Sequence, residues 1–265
     1  MTRTLALVST LLFATLLQAD TASLTLRFVF DGEPPAAKPL EVPAKFQHVT
    51  GPIPNERLVI DPESRGIRNI VVHVFTGRGG SEIELNPYDG KKRQLITENN
   101  RFEPHILFAR AGDKLELIDK LSYGHSPHIA FLNNPTRSLT VAPLQNPLPL
   151  KLPEPVPIRV LCNINPWMEA HLVILDHPFA AISDSRGAIR IDGLPVDSDL
   201  VFRVLHEAAP IQQVTIEGVS QTWDRSRFRL KLSPGVNDLG DVFVSSDTFT
   251  DKSSGGPTDA RETSR

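Results

Sequence analysis

The sequence predicts an all-β protein made of two sandwich units. Three observations carry this expectation. After the first 19 residues no segment shows a sustained helical period, and short β-branched and aromatic runs recur between Gly, Pro, Asn and Asp. Proline accounts for 23 of the 265 residues, nearly twice the usual share of about 5%. Proline lacks an amide donor and breaks helix interiors, so this density suits strands joined by stiff loops. The hydrophobic fraction of 40% and charged fraction of 22% are those of a globular chain.

The elements follow in order. Residues 24–30 (LTLRFVF) alternate before an Asp31-Gly32 turn, and prolines 34, 35, 39, 43, 52 and 54 mark an irregular surface crossing. Residues 67–76 (IRNIVVHVFT) read as a strong strand, ended by Gly77, Gly79 and Gly80. Runs at 106–108, 114–118, 128–132, 158–162 and 171–175 continue the series. Six of the fifteen residues from Pro143 to Pro157 are proline, which predicts an extended strap. A boundary falls at Asp176-His177-Pro178, and strands are expected beyond it at 181–183, 188–191, 200–205, 214–217, 228–232 and 242–244. Turns at Asp184-Ser185-Arg186-Gly187 and Ser233-Pro234-Gly235 have the residues that their backbone angles require. The polar stretch 245–265 predicts a disordered tail.

Residues 1–19 read as a secretory signal peptide. Arg3 supplies the positive end, residues 5–17 the apolar region, and Leu17-Gln18-Ala19 a cleavage site. Thirteen apolar residues fall short of the roughly 20 that a spanning helix needs. The expectation is a periplasmic or secreted protein with no membrane span after cleavage. A net charge of -3 argues against nucleic acid as a partner. The run Lys91-Lys92-Arg93 is too short to change that. A single cysteine excludes an intramolecular disulfide and any multi-thiolate metal site. In an oxidising compartment such a thiol must be buried or bonded to a metal.

Cys162 ends an apolar strand, Met168 follows six residues later, and His125 and His128 lie upstream in a Gly-His-Ser-Pro-His segment. Type 1 copper takes a thiolate and two imidazoles in a plane with a weak axial thioether. One loop can wrap thiolate and thioether around an ion, while an imidazole arrives from another strand. This pattern resembles the cupredoxins, in particular amicyanin and the related methylamine-utilisation proteins. Their ligand loop has the form C-x-x-H-P-[WF]-M, matched here by Cys162, Pro166, Trp167 and Met168, with Asn165 at the histidine position. Their upstream H-N-x-H segment is matched by His125 to His128, with His125 at the ligand position. Phe102-Glu103-Pro104-His105 and Gly112-Asp113-Lys114-Leu115-Glu116 resemble the strands entering the copper site. Asp176-His177-Pro178-Phe179 through Leu205-His206-Glu207 resembles their appended carboxypeptidase-regulatory-like domain.

The resemblance implies a cupredoxin-like Greek-key β-sandwich at 20–176 and a second small β-sandwich at 177–244. It implies copper as cofactor, held by His125, Cys162 and Met168, outer-sphere electron transfer to a redox partner protein, and no catalytic residues. Asn165 departs from it, because a neutral carboxamide is a weak, hard donor. His128 and His171 are the imidazoles that could stand in. Two readings stay open: a three-donor copper site, or a metal-free scaffold in which Cys162, Met168 and Trp167 only pack. In the second reading the protein is a non-redox module presenting loops to cell-surface carbohydrate or a partner protein.

The remaining candidates carry less. His73 and His105 read as core or surface residues. His206-Glu207 resembles a zincin motif but has no second histidine four residues on. Cys162 has no helix N-terminus to activate it as a nucleophile. Asp238 and Asp241 read as solvated. With no catalytic constellation, the expectation is a protein that is not an enzyme.

Overall fold

The computed structural model describes residues 21–250, apart from 37, 47, 48, 50, 122, 139–146 and 197. The expected signal peptide, the end of the expected tail and the start of the strap lie outside the described residues. Among those described there is no α-helix, only single 3-10 turns at Asp224–Ser226 and Ser246–Thr248. The chain is all-β, as expected. Its strands form four sheets that face each other in two pairs.

The first sandwich lies in the middle of the chain. One of its sheets contains β3 (Lys92–Glu98), β4 (Arg101–Glu103), β6 (Lys114–Asp119) and β9 (Leu148–Pro149), in the order β4-β3-β6-β9. The other contains β5 (Ile106–Arg110), β7 (Pro127–Ile129), β8 (Arg137–Ser138), β10 (Ile158–Cys162) and β11 (Glu169–Leu175), in the order β5-β11-β10-β7-β8. β3 runs parallel to β6, and β5 to β11, so spatial neighbours are distant in sequence and the chain crosses between sheets. Leu95, Phe102 and Leu115 from the first sheet pack on Ile129, Val160 and Leu172 from the second. Asp113 anchors one end of this unit. It is fully buried, and its carboxylate accepts hydrogen bonds from the Tyr88 hydroxyl, the Lys91 and Arg110 amides and Arg93 Nε at 2.5–2.8 Å. The proline-rich strap is likewise fixed. Buried Glu154 accepts the amides of Leu132, Asn133 and Asn134 and the Asn134 side chain.

The second sandwich is discontinuous in sequence. Its larger sheet contains β1 (Thr21–Asp31), β13 (Ala188–Pro195), β15 (Gln213–Ile216), β16 (Val219–Thr222) and β18 (Gly235–Ser245), in the order β13-β1-β18-β15-β16. Facing it are β2 (Val71–Val74), β12 (Ala180–Ile182), β14 (Asp199–Leu205) and β17 (Arg227–Lys231), in the order β12-β2-β14-β17. β1 lies parallel to β18, with Phe28 opposite Val242 and Phe30 opposite Val244. Leu24, Leu26, Phe28 and Phe30 point into the shared core with Val72, Phe202 and Trp223. Gly187 permits the close crossing beside β1. Its φ is +80°, and a Cβ there would stand 2.2 Å from the Phe28 carbonyl oxygen.

This pairing corrects the expected boundaries. The division near residue 176 does end the first sandwich, but the unit at 20–176 is not contiguous. Residues 21–31 and 71–74 pair with strands beyond residue 180, so the first sandwich is inserted within the second. Alternation in β1 specifies which face is buried, not which strand lies beside it. A small third core joins the two units: Val71 meets Ile106 and Val173, with Phe108, Leu175, Ile182 and Leu205 around them.

Candidate metal centre

The loop after β10 is closed by its own backbone. Cys162 N–H donates to the Met168 carbonyl at 3.2 Å, and Met168 N–H to the Asn165 carbonyl at 3.0 Å. Asn163 N–H reaches the Ser126 carbonyl at 2.9 Å, tying this loop to the segment carrying His125. The buried Cys162 Sγ therefore accepts one amide from each loop, Ser126 N–H at 3.4 Å and Asn165 N–H at 3.3 Å. Met168, in the same loop, is fully buried. Trp167 closes one side, its ring edge-on to Phe46 at 4.8 Å and its indole N–H on the Asn100 carbonyl at 3.0 Å.

His125 is almost wholly buried, with Nδ1 3.2 Å from Asp119 Oδ2. A carboxylate at Nδ1 fixes the tautomer and leaves Nε2 as a lone-pair donor, and Nε2 is buried without a hydrogen-bond partner. Burial works against ionisation of Asp119. Hydrogen bonds from Thr97 Oγ1 at 2.5 Å, from the Leu121 amide and from His125 outweigh it and hold the carboxyl below its usual range. The Tyr123 ring lies 4.8 Å from that of His125, and burial followed by the charges of Cys162 and Asp119 pushes its hydroxyl upward.

Asn165 occupies the interior of this arrangement. It is completely buried, its Nδ2 donates to the Gly124 carbonyl at 3.0 Å and lies 3.7 Å from Cys162 Sγ. Its Oδ1 has no hydrogen-bond partner. The donors present are a thiol, one imidazole and a thioether. That set fits Cu(I), which accepts soft, low-coordinate sites, and lacks the second imidazole of a trigonal Cu(II) centre.

Neither alternative imidazole joins this set. Strand alternation decides it. Cys162 shares the inward face of β10 with Val160, opposite Pro127, whereas His128 is opposite Leu161 and points the other way. His171 is opposite Arg159, on the outer face of the same sheet.

On that outer face His171 meets His105 and Glu207. His105, just before β5, places Nε2 2.6 Å from Glu207 Oε2, and Glu207 lies just after β14 in the second sandwich. His171 Nε2 stands 3.5 Å from the same oxygen and 3.4 Å from Glu169 Oε1. The His105 and His171 rings are 5.6 Å apart, edge to face. One ligand atom from each of His105, His171 and Glu207 lies within 4.8 Å of the others. Burial drives the Glu207 carboxyl upward, but His105 and His171 overcome it and hold it well below the usual range. Burial lowers His105 in turn, while Glu207 and Glu56 raise it further than burial depresses it.

His105 is buried, as a core residue is, and His206-Glu207 has no zincin partner; the pairing of His105 with Glu207 is what neither expectation contained. Glu207 pairs with His105, 102 residues upstream, and stands near His171, rather than with a histidine four positions on. A signal was present: β11 is buried on both faces (EAHLVIL), so a histidine within it is anomalous.

No protein-family model matches the chain, and no curated protein matches it. Among solved structures a copper-containing nitrite reductase from Thermus scotoductus SA-01 aligns at 16% identity with a TM-score of 0.25, over 38% of this chain and 25% of that one. The aligned part thus spans about a quarter of that enzyme's length. No helix among the described residues is long and apolar enough to cross a membrane.

Proposed function

We propose that this chain is an exported, periplasmic or secreted, cupredoxin-like copper protein that carries a single electron to or from a partner protein. The observation that supports it best is the buried Cys162 sulfur, which receives an amide from each of two loops beside a buried, unpartnered His125 Nε2. Cys162, His125 and Met168 would hold the ion, and bound copper would supply a one-electron couple. The remaining work belongs to the chain. Asp119 orients the His125 ring, the two amides fix the position of the Cys162 sulfur, and Trp167 with Met168 keeps water out. Ile164, 45% exposed within the ligand loop, gives a partner protein an apolar contact beside Cys162.

One observation favours a second reading, a metal-free scaffold whose loops bind a carbohydrate or protein partner. The Asn165 side chain already bridges the Gly124 carbonyl to the Cys162 sulfur, joining the two loops as an ion would. Copper titration separates the two. Under reducing conditions the mature protein is expected to take up one equivalent of Cu(I) from a chromophoric chelator. Asn165→His is expected to give an intense thiolate-to-copper band with Cu(II), by supplying the missing imidazole. Absence of Cu(I) uptake together with a colourless Asn165→His protein would sink the copper reading and leave the scaffold reading standing.

A further inference from the structure

The groups gathered where the two sandwiches meet have donor chemistry unlike that of the Cys162 loop. Two imidazoles and a carboxylate form the set that holds zinc and other borderline divalent ions. His171 Nε2 is buried and has no hydrogen-bond partner, although carboxylate oxygens stand 3.4 and 3.5 Å away. An ion among the three ligand atoms satisfies it. The hydrogen bond between His105 and Glu207 by itself leaves His171 Nε2 unpaired. Behind His105, Glu56 Oε2 lies 3.8 Å from the buried Nδ1, an ion-pair distance outside hydrogen-bond reach. Glu169, held by Arg159 through two contacts, stands beside His171 and offers an oxygen as a fourth donor.

Four carboxylates, Glu56, Glu103, Glu169 and Glu207, gather here, paired with Arg101 and Arg159 and with the imidazoles of His105 and His171.

We infer that His105, His171 and Glu207, with Glu169 beside them, form a divalent transition-metal site of the zinc class that clamps the two sandwiches together. On binding, the ion replaces the proton shared by His105 Nε2 and Glu207, and that proton leaves to solvent. The site draws its histidines from one sandwich and Glu207 from the other, so the ion acts as a cross-link. It shares no ligand with the Cys162 loop and does not depend on the copper reading.

The test uses the mature full-length chain stripped of metal with a chelator. Zn2+ is titrated in competition with a chromophoric chelator, and Co2+ is added separately to read the visible spectrum of a low-coordinate site. The expected result is one equivalent of Zn2+, a raised melting temperature, and unchanged uptake in Cys162→Ser. His171→Gln and Glu207→Gln should each weaken Zn2+ binding at least about 100-fold, since even outer-shell losses cost about 10–100-fold. Circular dichroism checks that each variant is folded. If Glu207→Gln fails to fold, the more peripheral His171→Gln decides. No Zn2+ or Co2+ uptake by the folded wild-type chain overturns the inference, as does uptake unchanged in His171→Gln.

Discussion

The Cys162 loop and the sandwich junction are both buried clusters of metal-ligating side chains, yet they are built in opposite ways. Cys162 and Met168 lie within one seven-residue loop, and only His125 comes from elsewhere. The junction takes His105, His171 and Glu207 from three separate stretches, two of them about a hundred residues apart. Backbone hydrogen bonds hold the loop's sulfur whether or not an ion is present. The junction is held by ion pairs between elements of different sheets, which demand correct docking of the two units. A local site can therefore be read in one dimension, whereas a junction site exists only after packing.

Three substitutions test that contrast. The largest effect is expected from Cys162→Ser. Replacing a soft thiolate with a hard hydroxyl should lower Cu(I) affinity by a factor on the order of a thousand or more while leaving Zn2+ uptake intact. Chelator competition with both ions reads the two outcomes together, and parallel loss would show that the sites are not independent.

Asp113→Ala comes next. It leaves Arg93, Tyr88 and two amides without their shared acceptor, at a cost of roughly 3–5 kcal/mol. Because the first sandwich is inserted within the second and shares the junction core, urea unfolding should remain one transition with a lower midpoint. Two separated transitions would mean that the units fold independently.

The smallest effect concerns pH. His73 lies in β2 near the junction and is buried, facing His177, Arg203 and Arg227, with Nδ1 2.8 Å from the Val74 carbonyl oxygen. Burial lowers its pKa to about 4 from 6.5. Protonation therefore favours the unfolded chain: the stability is whole above pH 6.5 and is lost as pH falls toward 4. By pH 5 the loss is roughly 2 kcal/mol. His73→Gln should remove that part of the acid dependence of the urea midpoint; an unchanged pH profile would show that the ring is hydrated. His73 and His105 thus respond oppositely near one junction, because only His105 has carboxylates against its ring.

Much of the fold was legible. The strand at residues 158–162 has the expected bounds, since Ile158, Val160 and Cys162 alternate inward between clear turn signals. The strand at 92–98 was missed. Lys92 and Arg93 read as an exposed basic run, and nothing local marks them as the start of a strand parallel to β6. The expected ten-residue strand at 67–76 shrinks to Val71–Val74. There Ile67 and Ile70 serve the core from irregular backbone, and Ser183 supplies the hydrogen bonds that a strand partner would.

The sequence by itself determined the class of the protein and the chemistry of one loop. Period-2 burial, proline placement and the spacing of Cys162 to Met168 are short-range properties, set by backbone geometry within a few residues. Tertiary structure alone decided which strands pair, that β1 lies between β13 and β18, and that His128 and His171 point away from Cys162. It also decided that His171 faces Glu207. An alternating strand fixes a face but not a partner, and partners are chosen by the apolar surface that two faces bury together. The junction cluster follows from that choice and could not precede it.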